Sequence, residues 1–164
     1  MNPSPGRSLR LDTYDGQAVP NSIDADPSAE MVALAMKFGL KGYMPGPWII
    51  GPTGRYNCHG LTFASRRTNI PPAGDPNSLQ VKDLLARDRY SLRVGTPRPG
   101  DIVSYTSAHG EIIHTGVVVR IDVLGDSRQI IVLSKWGGLG ECEHHVNACP
   151  DAPDSKIEYW TLNS

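Results

Sequence analysis

The sequence predicts an α+β fold, a single domain in which N-terminal helices pack on a C-terminal antiparallel sheet. Before about position 90 the apolar residues recur at helical spacing, whereas after Gly95 they gather in runs rich in Val and Ile and bounded by turn residues. Helical segments that precede the strands, rather than alternating with them, favour this class over a parallel α/β one. A chain of 164 residues with 39% hydrophobic content supports one ordinary core.

Residues 1–25 are rich in Pro, Asp, Asn and Ser and show no sustained period, so they read as an extended or flexible arm ahead of a domain spanning residues 26–164. Asp26 can cap a first helix, Pro27 fits its first turn, and Met31, Leu34, Ala35 and Phe38 fall on one helical face before Gly39 ends it. From Gly42 to Gly54 the chain is broken by Pro45, Pro47 and Pro52, with Trp48-Ile49-Ile50 as a short extended piece. A second helix is expected from Asn57 or Cys58 to about Thr68, stopped by Pro71-Pro72, and a third from Asn77 to Arg89 on Leu79, Val81, Leu84 and Leu85. Strands follow over residues 101–106, 112–122 and 129–136, with Gly125-Asp126-Ser127 as a hairpin turn, and residues 156–162 form a closing strand.

Composition excludes some functions. The formal net charge is −1, and Arg66, Arg67, Arg87, Arg89, Arg93 and Arg98 form no stripe, so a nucleic-acid partner is not expected. No apolar run approaches the roughly 20 residues of a membrane span. The first residues lack a basic segment followed by an apolar stretch, so the chain is expected to be cytoplasmic as synthesised, without a cleavable signal peptide. Its three cysteines, Cys58, Cys142 and Cys149, cannot all pair within one chain.

The chemistry points to Cys58. In Asn57-Cys58-His59-Gly60 a loop rich in Gly and Pro delivers a cysteine to the start of a short helix. Unpaired backbone N–H groups there favour thiolate over thiol and can face an oxyanion, with Gly60 leaving space beside it. His114, in a strand after Arg98-Pro99-Gly100-Asp101-Ile102-Val103, is placed by period-two alternation on one face with Ile112, Gly116 and Val118. A neutral histidine there can take the thiol proton if the cysteine helix packs across that face, and Gly116 would leave room for the helix or the substrate.

An Asn-Cys-x-Gly helix start, then Pro-Gly-Asp-Ile-Val, then His-x-Gly followed by three hydrophobic residues, in that order, resembles the NlpC-type and CHAP-type cysteine peptidases and amidases. The likeness covers about residues 55–136. It implies a papain-like fold of helices packed on an antiparallel sheet, and a thiol hydrolase that cuts amide bonds in peptidoglycan without metal or other cofactor. Cys58 would be the nucleophile and His114 the general base and acid. A third, polar residue is expected on the next strand. Ser134 matches by strand parity, while His144, with His145 behind it, can fold back from beyond the next turn; His144 is the preferred third catalytic residue. Tyr56, His59, Ser134 and Trp136 are the expected substrate contacts, with the Tyr56 hydroxyl offered to the oxyanion. The partners implied are a peptidoglycan peptide or a protein substrate. A bacterial effector exported without a signal peptide, with an immunity or inhibitor protein against it, is one concrete form.

Three readings compete. Cys142, His144, His145 and Cys149 suit zinc chemically but lack a paired Cys-x-x-Cys spacing, and a Cys142–Cys149 disulfide is a simpler alternative. A glutamine deamidase or transglutaminase-like toxin would use the same thioester chemistry. A non-catalytic binding module would keep the scaffold and lose the reaction.

Overall fold

The computed structural model describes residues 7–39, 46–72, 79–149 and 154–163. Its frame is a six-stranded antiparallel sheet: β1 (Tyr90–Leu92), β2 (Ile102–Thr106), β3 (Ile112–Leu124), β4 (Ser127–Lys135), β5 (Glu141–His145) and β6 (Lys156–Leu162), in the spatial order β1-β6-β2-β3-β4-β5. The helices are short: α1 (Ala29–Leu34), continued by a π-helical turn over Ala35–Gly39, α2 (Cys58–Phe63) and α3 (Val81–Arg87). This corrects the expected fold class. The molecule is mainly β, and it lacks the helix-packed α+β arrangement of a papain-like fold.

The physical cause lies in where the helices stop. Helix α2 ends at Phe63, because Ser65 and Arg66 both turn left-handed (φ 48° and 64°), five residues or so short of the expected end at Thr68. Helix α1 is capped by Ser28, whose side chain accepts from the Met31 N–H. Asp26 is engaged elsewhere, accepting from Thr53 Oγ1 and the Gly54 N–H. The stripe expected to face inward is largely outside, with Met31, Leu34 and Phe38 61%, 50% and 66% exposed. Of that stripe Ala35 packs inward as expected, joined by Val32 and Met36 against Trp136 and Leu139. The third helix begins its described course at Val81, and residues 77–78 of the expected span lie outside the described residues, as does Pro45.

The expected strands are present with small changes of boundary, and Gly125 (φ 60°) makes the turn between β3 and β4. Two strands were not anticipated. Tyr90–Leu92 follows the left-handed Arg89 directly, and Glu141–His145 is a short charged edge strand whose composition gives no β signal. The last strand does not close the sheet's edge; it inserts between β1 and β2. Residues 7–25 are tied down through bridges Arg7↔Ile23, Asp12↔Ala18 and Ser22↔Asn69, and Val19 is buried with Ala64, Ile70 and Leu84.

The sheet has two covered faces. Ile102, with Ile112, Val81 and Leu85, builds the core under α3, while Thr115 lies beneath α2. The opposite face carries Val103, Tyr105 and Val132, covered by Val146 and Cys149, and continues through Trp136 and Cys142 under α1. A β-bulge decides which face the histidine joins. Tyr105 pairs with His114 and Thr106 with Ile112, so Ile113 is the extra residue. The expected alternation is therefore broken: Ile112 packs with Ile102 on one face and His114 with Tyr105 on the other.

Candidate active site

Cys58 opens α2 because Asn57 caps it. The Asn57 side-chain oxygen accepts from the Gly60 N–H at 2.9 Å and from the Ile70 N–H at 3.2 Å, and its amide donates to the Ile70 carbonyl at 2.7 Å. One residue thus ends the loop, starts the helix and ties both to the chain that returns from α2. Gly60 is required for that return: a Cβ there would meet the Thr68 carbonyl oxygen at 1.9 Å. The space expected beside the oxyanion is filled by this backbone.

The structure brings Cys58 and His114 together. Burial alone would push the Cys58 thiol up, but the charge and hydrogen bond of His114, together with the backbone N–H groups of Thr115 and His59, outweigh it and hold the thiol below its ordinary value. Both residues are almost wholly buried, at 9% and 3% exposure. The thiol is therefore kept in a low-dielectric site whose only stabilisation of negative charge is local.

The other expected residues fall into two groups. The His114 ring stacks on Trp136, with centroids 5.6 Å apart and planes 15° from parallel, and Trp136 also meets His144 at 5.3 Å, tilted by 54°. His144 Nε2 lies 2.9 Å from Ser134 Oγ, so these two candidates for the third position engage each other. Burial pushes His144 down to about 4. Ser134 pairs with Gly116, and a Cβ on Gly116 would stand 2.6 Å from Ser134 Oγ. The room expected at Gly116 for a helix or substrate is thus taken by Ser134 and Val132. His145 accepts from the Asn147 N–H, away from the pair.

Tyr56 and His59 point elsewhere. The Tyr56 hydroxyl donates to Glu141 Oε1 at 2.6 Å, and burial followed by this carboxylate push the phenol well up. Its proton faces an acceptor inside the protein, not an oxyanion. His59 is buried, with Nδ1 3.0 Å from Thr115 Oγ1, and desolvation pushes it down to about 4. His59 Nε2, His114 Nε2 and Trp136 Nε1 are buried without a hydrogen-bond partner among the described residues.

Sequence reasoning missed two charged residues beside the site. Lys135 is fully buried, and its ammonium donates to the carbonyls of Thr53, Gly137 and Leu139 at 2.9, 2.6 and 2.5 Å. It joins the loop before Cys58 to the turn after Trp136. Desolvation lowers it to about 8, opposed by the carboxylates of Glu141 and Asp26 and by the Cys58 thiolate. Glu141, also fully buried, accepts from Arg66 Nε at 2.7 Å and Nη2 at 3.0 Å as well as from Tyr56. No sequence signal marked them: Lys135 and Glu141 are register partners on the face that bears Thr115, and the strand that holds Glu141 was not anticipated.

Outside this centre, a groove of about 640 Å³ runs past Asn57, Gly137 and Gly138, the neighbours of Cys58 and Trp136, and its far wall includes Asp24, Asp26 and Asn69. Cys142 is buried, with its thiol pushed up to about 12, and no disulfide links it to Cys149. Among the described residues no three His, Cys, Asp or Glu side chains gather as a metal would require. No described helix is long and apolar enough to cross a membrane. No family model, curated protein or solved structure matches the chain.

Proposed function

We propose that the protein is a cysteine hydrolase that cleaves an amide bond, with peptidoglycan peptides as the substrate class. The single observation that carries this reading is the buried Cys58 thiol at the first position of α2 with His114 hydrogen-bonded to it, an arrangement that holds the thiol below its ordinary value in spite of burial. A thiol kept only for packing drifts the other way, as Cys142 does. The order of the short motifs around Cys58, Asp101 and His114, which resembles NlpC-type and CHAP-type enzymes, supports the substrate class.

In the proposed reaction the Cys58 thiolate attacks the substrate carbonyl carbon, and the carbonyl π electrons move onto oxygen. The backbone N–H of Cys58 faces that oxyanion. As the C–N bond breaks, its electron pair takes a proton from the His114 imidazolium and the amine leaves a thioester behind. Water then gives a proton to His114 and attacks the thioester. The acid departs, and the thiolate and imidazolium are restored. The groove lined by Asn57 and Gly137, the neighbours of Cys58 and Trp136, is where the peptide would lie.

Iodoacetamide alkylation of Cys58 across pH, in the parent and in His114→Ala, tests this reading directly. The parent is expected to react well below the ordinary thiol range of about 8.5 and to lose that advantage without His114. A thiol that is inert when folded, or indifferent to His114, would leave a non-catalytic binding module, to which the burial of both residues then points. Release of stem-peptide fragments from purified peptidoglycan, absent in Cys58→Ser, is the matching assay for the substrate.

A further inference from the structure

A catalytic histidine is held in register by a third group, ordinarily an acceptor for the ring nitrogen that faces away from the nucleophile. In this site His114 Nε2 is buried and has no hydrogen-bond partner among the described residues. The two polar residues expected for that role, Ser134 and His144, lie 2.9 Å from each other, and neither bonds His114 Nε2. What His114 has instead is aromatic surface. The Trp136 indole lies nearly parallel to it at 5.6 Å, and Tyr105, its register partner on β2, lies tilted at 5.5 Å.

Both aromatic rings are fixed by their own surroundings. Tyr105 is fully buried and donates its hydroxyl to the Val146 carbonyl at 2.9 Å. Trp136 is 4% exposed and packed by Leu139, Val32, Ala35, Met36 and Trp48. A buried ring packed against two such neighbours has few rotamers left. An aromatic face also attracts a cation through its quadrupole, most strongly in a desolvated site, and indole does so best.

We propose that Trp136 is the positioning residue for His114, orienting the imidazole toward Cys58 through its ring face and stabilising the positive charge it takes up, in place of a polar third residue. This rests on the hydrolase reading and specifies how its base is held. The ionisable groups packed around the pair are Tyr105 on β2, His144 beside the indole on β5, and Lys135, whose ammonium interacts with the Cys58 thiolate.

The test uses the full chain and the pH profile of Cys58 alkylation in Trp136→Phe, Trp136→Leu, Ser134→Ala and His144→Ala, with thermal unfolding of each as a control. Trp136→Phe keeps a ring face and is expected to stay within about threefold of the parent at pH 6, whereas Trp136→Leu, which fills space without a π face, is expected to fall about tenfold and to shift its inflection upward. Ser134→Ala and His144→Ala should leave the inflection where it is. Equal profiles for Phe and Leu, whether both intact or both impaired, would overturn the proposal, because volume or the indole N–H would then be what matters. So would a loss in Ser134→Ala or His144→Ala that matches His114→Ala. Failure of the hydrolase reading itself is read separately, from a parent thiol that ignores His114→Ala.

Discussion

The two faces of the sheet meet at Cys58 and solve opposite problems. The polar face carries Thr115, Lys135 and Glu141, and there the sheet's charges are fully engaged: Lys135 reaches three carbonyls, and Glu141 takes Tyr56 and Arg66. The aromatic face carries Tyr105, His114 and Trp136, and there His114 Nε2 and Trp136 Nε1 are buried with no hydrogen-bond partner among the described residues, against His59 Nε2 alone beside Thr115 on the polar face. Satisfied polar networks rigidify a core. Unsatisfied buried donors each cost about 1–3 kcal/mol. Under the proposed hydrolase reading, stability belongs to the polar face and chemistry to the aromatic one.

The sharpest way to break that assignment is to remove the chemistry alone. His114→Ala is expected to lower amide hydrolysis by about a thousandfold, while shifting the unfolding midpoint far less than an equal truncation on the polar face. Turnover of peptidoglycan fragments beside urea unfolding measures both. If His114→Ala unfolds the protein and leaves residual turnover unchanged per folded molecule, the two faces are not divided as described.

Acid should act on both faces at once. His59, under the polar face, and His144, beside Trp136, are each pushed down to about 4 by burial. In the unfolded chain they titrate near 6.5. Between about 6.5 and about 4 the unfolded state therefore binds protons that the native state refuses, so stability falls as pH drops through that window. Each histidine accounts for roughly 3 kcal/mol when the window has been crossed. His144→Gln should remove about half of the pH-dependent loss measured from urea midpoints between pH 7 and pH 4; an unchanged slope would show that other groups dominate it.

Glu141→Ala sharpens the comparison from the other side. It strips the acceptor from the buried Tyr56 hydroxyl and from Arg66, whose side chain is 42% exposed and regains water. A cost of about 2 kcal/mol is expected, below that of a fully buried pair. The Cys58 alkylation inflection should move little. Glu141→Gln, which keeps an acceptor for Tyr56, should recover much of the loss.

What the sequence made legible follows the same division. Cys58 and His114 were visible because each stood in a local context with a chemical reading, a loop opening a helix and a histidine in a β run. The strands were visible from their Val and Ile content. The helices were overread, since a left-handed pair such as Ser65 and Arg66 carries no warning in residue type. The bulge at Ile113 was equally silent, and it placed Ile112 and His114 on opposite faces. Lys135 and Glu141 went unread because isolated charges ordinarily mark surface, and only the register of β4 with β5 reveals them as buried.

The smallest expected effect concerns the cover over the aromatic face. Helix α1 and its π-helical turn show Phe38 to solvent at 66% exposure while Val32 packs against the Trp136 cluster. The periodicity that placed Phe38 inward makes it a core residue, and its truncation would then cost about 3 kcal/mol or more. With the observed packing, Phe38→Ser should fall within about 0.5 kcal/mol of the parent, whereas Val32→Ala should cost about 1 kcal/mol for its partial burial. Val32→Ala should also slow Cys58 alkylation slightly if the indole it supports is what steadies His114, and Phe38→Ser should not. A larger loss at Phe38 than at Val32 would place the helix the other way round over Trp136, and the cover of the aromatic face would have to be redrawn.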